Sequence, residues 1–429
     1  MRVLVRTFGC STNQADGQVI AGCLREAGNE IVNSISNADI VIYNTCAVKG
    51  PTENRMLALA ARVPREKKLI ITGCLPLINR PRIEKEVRYD GLAGPAIGKK
   101  IVSITQHVSA GETVLAFDDL KKEKPGLALP RLETNRVVSI VPICYGCLGS
   151  CSYCGVVFAR GRLRSYSIEE VISRVKADVE KGFREFWLTA QDTAAYGRDI
   201  GTNLPNLLGF VSAVDGDFRI RVGMMTPNQA FDILDDLVSV FEHEKIFKFL
   251  HLPVQSGDDQ TLKRMKRFYT VSEFKKIIRK FRSCFPRITF STDIISGFPG
   301  ETVQAFENTI DLINQTKPDI VNVSKFFARP GTAAGDMDSM SLSRSEIKVR
   351  TVQIERLAKK TSLDRNVEWV GWRGNVLVDE VGKAQCSWVG RNYAYKPIVI
   401  KSPKDLLGKT FTVEVLRANT TFLEGQIVT

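Results

Sequence analysis

The run CYGCLGSCSYCGVVFARG, Cys144 to Gly161, decides how this chain is read. It packs four of the ten cysteines into eleven residues, with glycines and serines between them. Such spacers favour a loop over a helix or strand. The apolar run from Val137 to Ile143 leads in, and a charged helical pattern from Ile168 leads out. A strand therefore hands a cysteine loop to a helix. The spacing Cys147-x-x-x-Cys151-x-x-Cys154 lets three thiolates wrap one compact soft-metal site. Zinc competes for the same residues, because Cys144/Cys147 and Cys151/Cys154 are two CxxC pairs. The gap between the pairs is shorter than a zinc ribbon's. If the metal is an iron–sulfur cluster, Cys144 stands outside the ligand set, inside the barrel or beside the ligands.

Outward from this loop, residues 137 to about 340 alternate strands and helices. The expected strands are Val137–Ile143, Glu185–Thr189, Arg219–Gly223, Phe247–Leu252, Ile288–Ile295 and Asp319–Phe326. Six βα units fit a partial (β/α) barrel, whose active site lies at the carboxyl ends of the strands. Those ends carry the cysteine loop, Gln191 and Asp192, the stretch His251–Gly257, the stretch Ser296–Glu301, and Ala328–Gly331. A cluster held by three cysteines leaves one iron open. If it chelates S-adenosylmethionine, an electron from the cluster breaks a C–S bond and yields a radical able to take hydrogen from an unactivated carbon.

Residues 1 to about 110 form another alternating series, which predicts a small parallel α/β sheet. Its strands Val3–Thr7, Asp39–Tyr43 and Leu69–Thr72 each run into a cysteine: Cys10, Cys46 and Cys74. A lone cysteine is often a small core residue. Three at the same end of three parallel strands point to a shared metal site. Cys23, Cys284 and Cys386 lack that context and are read as packing. Residues 111–136, charged and holding Pro125 and Pro130, read as a linker.

After a charged helix from Ser343 to Arg365, short β-prone runs from 368 to 429 predict a small all-β barrel. Trp388, Arg391, Tyr393, Tyr395 and Lys396 mix aromatic and basic side chains there, which suits either RNA contact or an ordinary core. Sixty Lys and Arg against 47 Asp and Glu give a net charge of +13, which suits a nucleic-acid partner. Ten cysteines without a secretory leader argue for a cytoplasmic protein with metal-binding or reactive thiols, and no apolar run reaches the ~18 residues of a membrane span. Three histidines leave little room for His-centred chemistry.

At these residues the sequence resembles the methylthiotransferase branch of the radical S-adenosylmethionine enzymes, over nearly the whole chain. GCSTNQADGQ, NTCAV and GCLP resemble that branch's three-cysteine domain. The central loop with Ala159-Arg160-Gly161 resembles its radical motif, and the end of the chain resembles a TRAM domain. The implied architecture is an N-terminal parallel α/β domain (1–110), a linker (111–136), a partial (β/α)6 radical barrel with its helix (137–364), and a TRAM-like RNA-binding domain (365–429).

The resemblance implies two [4Fe-4S] clusters. Cys147, Cys151 and Cys154 would hold the one that cleaves S-adenosylmethionine. Cys10, Cys46 and Cys74 would hold the auxiliary one, which carries the sulfur to be inserted. Gln191, Asp192, Gln255, Ser256, Gly297 and Glu301 are the candidates to hold the cofactor. GCLGSCSYC followed by ARGRLRSY resembles the archaeal and eukaryotic group acting on N6-threonylcarbamoyladenosine at tRNA position 37. That group commonly has a lysine where this chain has Val157. Isopentenyladenosine 37 and a ribosomal-protein aspartate are the other substrates of the branch. A zinc-stabilised RNA-binding protein without catalysis is the alternative of a different class. Partners implied are the tRNA anticodon loop and unidentified electron and sulfur donors.

Overall fold

The computed structural model describes residues 1–47, 50–117, 123–337 and 342–428. Val48 of NTCAV and residues 118–122 of the expected linker lie outside them.

The N-terminal unit is a six-stranded sheet in the order β2-β1-β3-β4-β5-β6, parallel throughout. Its strands are β1 (Arg2–Thr7), β2 (Glu30–Ile31), β3 (Ile40–Thr45), β4 (Lys68–Gly73), β5 (Gly91–Ala93) and β6 (Val114–Ala116). β3 is buried along its whole length, because helices cover both faces and leave no side for polar residues. β6 falls inside the stretch expected to be a linker. Beyond it Arg131 is also locked in place, with Nη2 donating to Asp178 at 2.7 Å and Nη1 to the Ile140 carbonyl at 2.8 Å.

Register decides where the cysteines fall. Thr7 lies opposite Asn44, and Thr45 opposite Gly73. Cys46 and Cys74 are thus the next residues of two level strand ends. Gly9 and Gly73 make the turns at φ +103° and +95°, a region costly for residues with a Cβ.

The central unit holds β7 (Val138–Pro142), the short antiparallel pair β8 (Cys144–Tyr145) and β9 (Arg164–Ser165), then β10 (Glu185–Thr189), β11 (Arg219–Val222), β12 (Phe249–His251), β13 (Thr289–Ser296) and β14 (Ile320–Lys325). Two parallel sheets, β11-β10-β7 and β12-β13-β14, are joined by a bridge between Ile220 and Ile246. The result is the expected six-stranded open barrel. Helices Ile168–Glu180 and Val271–Cys284 each begin with a capping box, Ser167 with Glu170 and Thr270 with Glu273. A 24-residue helix, Arg344–Val367, leads to the C-terminal barrel.

That barrel is closed in the order β15-β16-β17-β19-β18, from β15 (Arg373–Val381), β16 (Ser387–Arg391), β17 (Pro397–Lys401), β18 (Thr410–Ala418) and β19 (Leu423–Ile427). It sits under the amino ends of the central strands. Arg184, just before β10, donates to the Gly408 carbonyl at 3.2 Å. Asn135, before β7, donates to the Asp379 carbonyl at 2.9 Å, and the amide of Lys248, before β12, donates to the Tyr393 carbonyl at 2.7 Å.

Two members of the aromatic–basic group, Tyr395 and Lys396, are spent in this junction. The Tyr395 hydroxyl donates to Glu185 at 3.0 Å, and its ring lies against Phe247 and Phe249. Lys396 is buried and reaches Asp319 and Asn366, both at 2.7 Å. Arg391 pairs with Asp379 at 3.0 Å. Of the group named from sequence, Tyr393 alone is classed as exposed.

Candidate active site

The cysteine loop leaves β7 as expected. Cys144 is fully buried in β8, its thiol directed at the Asp192 carbonyl 4.0 Å away, so it is a core residue apart from the others. Cys147, Cys151 and Cys154 each receive one N–H donor. Gly149 N–H points at Cys147 Sγ (3.2 Å) and Val156 N–H at Cys154 Sγ (3.5 Å). Arg267 Nη1 donates to Cys151 Sγ at 3.3 Å. A Cβ on Gly149 would lie 3.3 Å and 3.6 Å from the sulfurs of Cys147 and Cys151, so the backbone itself lines the cradle.

Burial pushes the Cys147 thiol up to about 11 and that of Cys154 up to about 12. Such thiols ionise only with a cation bound to them, and coordination to a metal does this outright. Three sulfurs with one donor each fit an iron–sulfur cluster, whose thiolates accept such bonds. Among the described residues no three His, Cys, Asp or Glu side chains converge enough to hold a single ion. Thiolates of a multi-iron cluster each take a different iron and need no such convergence.

The second triad is built at the level strand ends. Cys10 precedes the helix Ser11–Glu26, and Cys74 precedes Leu75–Ile78, with its N–H on the Thr45 carbonyl at 3.0 Å. Cys46 is buried beside Gly9, where a Cβ would come within 2.7 Å of its sulfur. Burial pushes Cys74 up to about 11, and the guanidinium of Arg160 pulls against it. Against the cost of its burial, Asp16, Cys74 and Cys10 all favour the charged form of Arg160. Its Nη1 is buried without a hydrogen-bond partner among the described residues. An orphaned cationic N–H beside two thiols fits an anionic cluster there.

The two triads are neighbours. The helix Val156–Arg160, just after Cys154, packs on Leu75–Ile78, just after Cys74, and a Cβ on Gly155 would meet Ile78 at 2.9 Å. Ser11 bonds Thr189 at 2.6 Å, tying the helix after Cys10 to the end of β10. Arg160 reaches Asp16 (2.7 Å) and Asn13 (3.1 Å), and the Tyr145 hydroxyl donates to Asp16 at 2.6 Å.

The other candidates lie at the carboxyl ends of the strands, each in its own hydrogen-bond group. Gln191 accepts from Gly146 N–H at 2.8 Å, beside the loop. Asp192 is buried and accepts from the Thr226 amide at 3.0 Å and from its hydroxyl. Gln255 sits at φ +72°, and buried Ser256 accepts from the Asp258 amide at 3.3 Å. Gly297 N–H donates to Glu301 at 3.1 Å, and Glu301 in turn pairs with Arg350 at 2.9 Å. That pair fastens the long helix onto the barrel. Cys23 is core, whereas Cys284 and Cys386 are exposed and not the packed residues expected. Sequence reading missed Arg160, Asp16 and Arg267. Arg160 was within reach, since it follows the loop directly in the ARG run. Arg267 lies 116 residues from Cys151, and only folding unites them.

An open parallel barrel with a three-cysteine loop after its first strand defines a radical S-adenosylmethionine enzyme. Residues 141–313 match the radical SAM superfamily, 2–94 match the uncharacterized protein family UPF0004, and 369–428 match the TRAM domain. Among solved structures, the radical S-adenosylmethionine methyltransferase TsrM from Kitasatospora setae has a similar fold. Its TM-score is 0.55 at 13% identity, covering 78% of this chain and 77% of that one.

The chain belongs to the threonylcarbamoyladenosine tRNA methylthiotransferase family. A probable member from Pyrococcus horikoshii is 41% identical over the whole of both chains. The human member is 34% identical over all of this chain and 74% of its own length. As a radical SAM methylthiotransferase this enzyme uses S-adenosylmethionine and an iron–sulfur cluster. Among the described residues no helix is long and apolar enough to cross a membrane.

Proposed function

We propose that the protein methylthiolates C2 of N6-threonylcarbamoyladenosine at position 37 of tRNA, using two [4Fe-4S] clusters in the cytoplasm. The observation that carries this reading is the adjacency of two cysteine triads, one from each α/β unit, joined through Arg160 and the Ser11–Thr189 bond. One triad alone accounts for hydrogen abstraction. The second accounts for a sulfur held beside the reacting carbon.

Cys147, Cys151 and Cys154 would hold the cluster beside which S-adenosylmethionine binds, and Cys10, Cys46 and Cys74 the auxiliary one. Together they supply electron transfer, radical generation and an iron-bound sulfur. The chain's own residues bind and orient. Gly149, Val156 and Arg267 donate to the first sulfur set, and Arg160 brings its charge to the second. Gln191 fixes the loop through Gly146, and Asp192, Gln255 and Ser256 stand at the adjoining strand ends. Gly297 and Glu301 act on the cofactor side by keeping the β13 turn closed. The barrel wall excludes water from the radical. The domain division is 1–110, 137–364 and 365–429, with the intervening 111–136 shared between them: β6 completes the N-terminal sheet and Arg131 is bound to the central unit. Electron and sulfur donors come from outside the chain.

The test is mass spectrometry of tRNA nucleosides from cells with and without the protein. The reading expects the 2-methylthio derivative of N6-threonylcarbamoyladenosine only with it. Appearance instead of methylthiolated isopentenyladenosine would reassign the substrate. Anaerobic reconstitution should give about eight irons per chain if both cubanes fill.

A further inference from the structure

With Tyr395 and Lys396 buried against the central barrel, the C-terminal group keeps Tyr393 as its exposed ring, and a larger set of exposed rings lies at the cysteine loop. Three segments frame the cysteine loop, and each presents one Phe to solvent. Phe158 is 40% exposed, Phe268 70% and Phe327 39%. The segments are stitched together at the loop. Ser152 N–H donates to the Met265 carbonyl at 3.0 Å, and Ala334 N–H to the Ser152 carbonyl at 2.8 Å. A Cβ on Gly331 would lie 3.9 Å from the Phe158 ring. One on Gly50 would stand 2.6 Å from the Phe327 ring, so the rim closes against the N-terminal unit.

The charge of these segments is one-sided. Residues 144–168, 262–272 and 320–335 contain no Asp or Glu, yet they hold three, four and two Lys or Arg. Arg162, Lys263, Lys266 and Lys325 are exposed. Outward aromatic rings on segments where cations are in excess match unpaired nucleic acid: rings stack on bases and cations meet phosphates. A duplex keeps its bases stacked and offers the rings nothing.

We propose that Phe158, Phe268 and Phe327, with these four cations, form the platform on which an unpaired RNA loop docks over the mouth of the site. The platform rests on the tRNA reading above and adds where the loop is held. Bases stack on the three rings, and one base is left free to enter toward the cysteine loop.

The test uses the full-length, iron-loaded protein with two probes: a short RNA hairpin with an unpaired loop and a blunt RNA duplex of equal length. Phe268→Ala should weaken hairpin binding about tenfold and leave duplex binding unchanged. Lys266→Ala should weaken both and lower the salt slope by about one. The three rings are exposed, so the triple Phe→Ala variant keeps the fold, checked by iron content and melting temperature. Hairpin binding by that variant as tight as by the unaltered protein would overturn the platform, as would equal losses for hairpin and duplex. So would loss of hairpin binding in Trp388→Ala/Tyr393→Ala with the triple variant unaffected. If the platform fails while cells still make the methylthiolated nucleoside, the docking surface alone is wrong. If the nucleoside is absent while hairpin binding follows the rings, the proposed reaction is wrong.

Discussion

Arg160 grips Asp16 at 2.7 Å across the seam between the radical barrel and the N-terminal sheet, and both side chains are buried. The guanidinium belongs to the helix that follows one cysteine triad, yet it lies beside the cysteines of the other. A buried pair is costly to break, because the remaining partner stays uncompensated.

Arg160→Gln should therefore destabilise the protein by about 3–5 kcal/mol, read as a lower melting temperature. Adding Asp16→Asn should recover part of the loss, because no lone charge is left. The double variant should still load less iron at the N-terminal triad. Full iron content and unaltered methylthiolation in the double variant would show that the arginine serves the seam alone.

The two triads should separate by mutation. Cys151→Ala should abolish cleavage of S-adenosylmethionine. Cys46→Ala should spare cleavage at least in part and stop sulfur insertion, checked by product analysis after anaerobic reconstitution. Methylthiolated RNA from the Cys46 variant would rule out an auxiliary cluster at the N-terminal triad.

Gly9→Ala should act like loss of Cys46. At φ +103° the new methyl is strained, and it would stand 2.4 Å from the Cys46 Cβ. About half of the iron should be lost, with the radical-site half retained. Iron analysis and electron paramagnetic resonance of the reduced protein check this.

Glu185 gives a dependence on pH. Burial first, and Asp379 second, push its carboxyl up to about 7. Between the ordinary carboxylate range and about 7 the folded protein binds the proton and the unfolded chain does not. Stability from this group therefore falls as pH rises through that window. Glu185→Gln should flatten the decline while keeping an acceptor for the Tyr395 hydroxyl. The measurement is melting temperature from pH 5 to 8 for both proteins. A decline equally steep in the variant would place the titration elsewhere.

Lys396→Ala should loosen the C-terminal barrel. It leaves the buried Asp319 carboxylate with the Phe290 amide at 2.9 Å and, as its one cation among the described residues, the more distant Arg365 at 3.4 Å. A cost of about 3 kcal/mol is expected, seen as earlier cleavage between the two units in limited proteolysis.

The long, periodic elements were legible from the chain. Glu185–Thr189 has the expected bounds, since an apolar run set off by polar flanks admits one reading. The strands Glu30–Ile31, Gly91–Ala93 and Val114–Ala116 were not legible, because two or three residues carry no period and only the neighbouring strand makes them β. The placement of Cys10, Cys46 and Cys74 could be read because strand ends of a parallel sheet share one side. The role of Tyr395 and Lys396 could not. An aromatic beside a lysine has the same composition whether it faces RNA or a neighbouring domain, and only Glu185 and Asp319, distant in sequence, decide between them.

The C-terminal barrel caps the amino ends of the strands, and the cysteines open at their carboxyl ends. The eight residues of Thr289–Ser296 alone span about 26 Å at ~3.3 Å per residue. An RNA touching both ends must wrap that height. That height is the least span of any RNA that meets both ends, one that a folded tRNA has and a detached loop lacks.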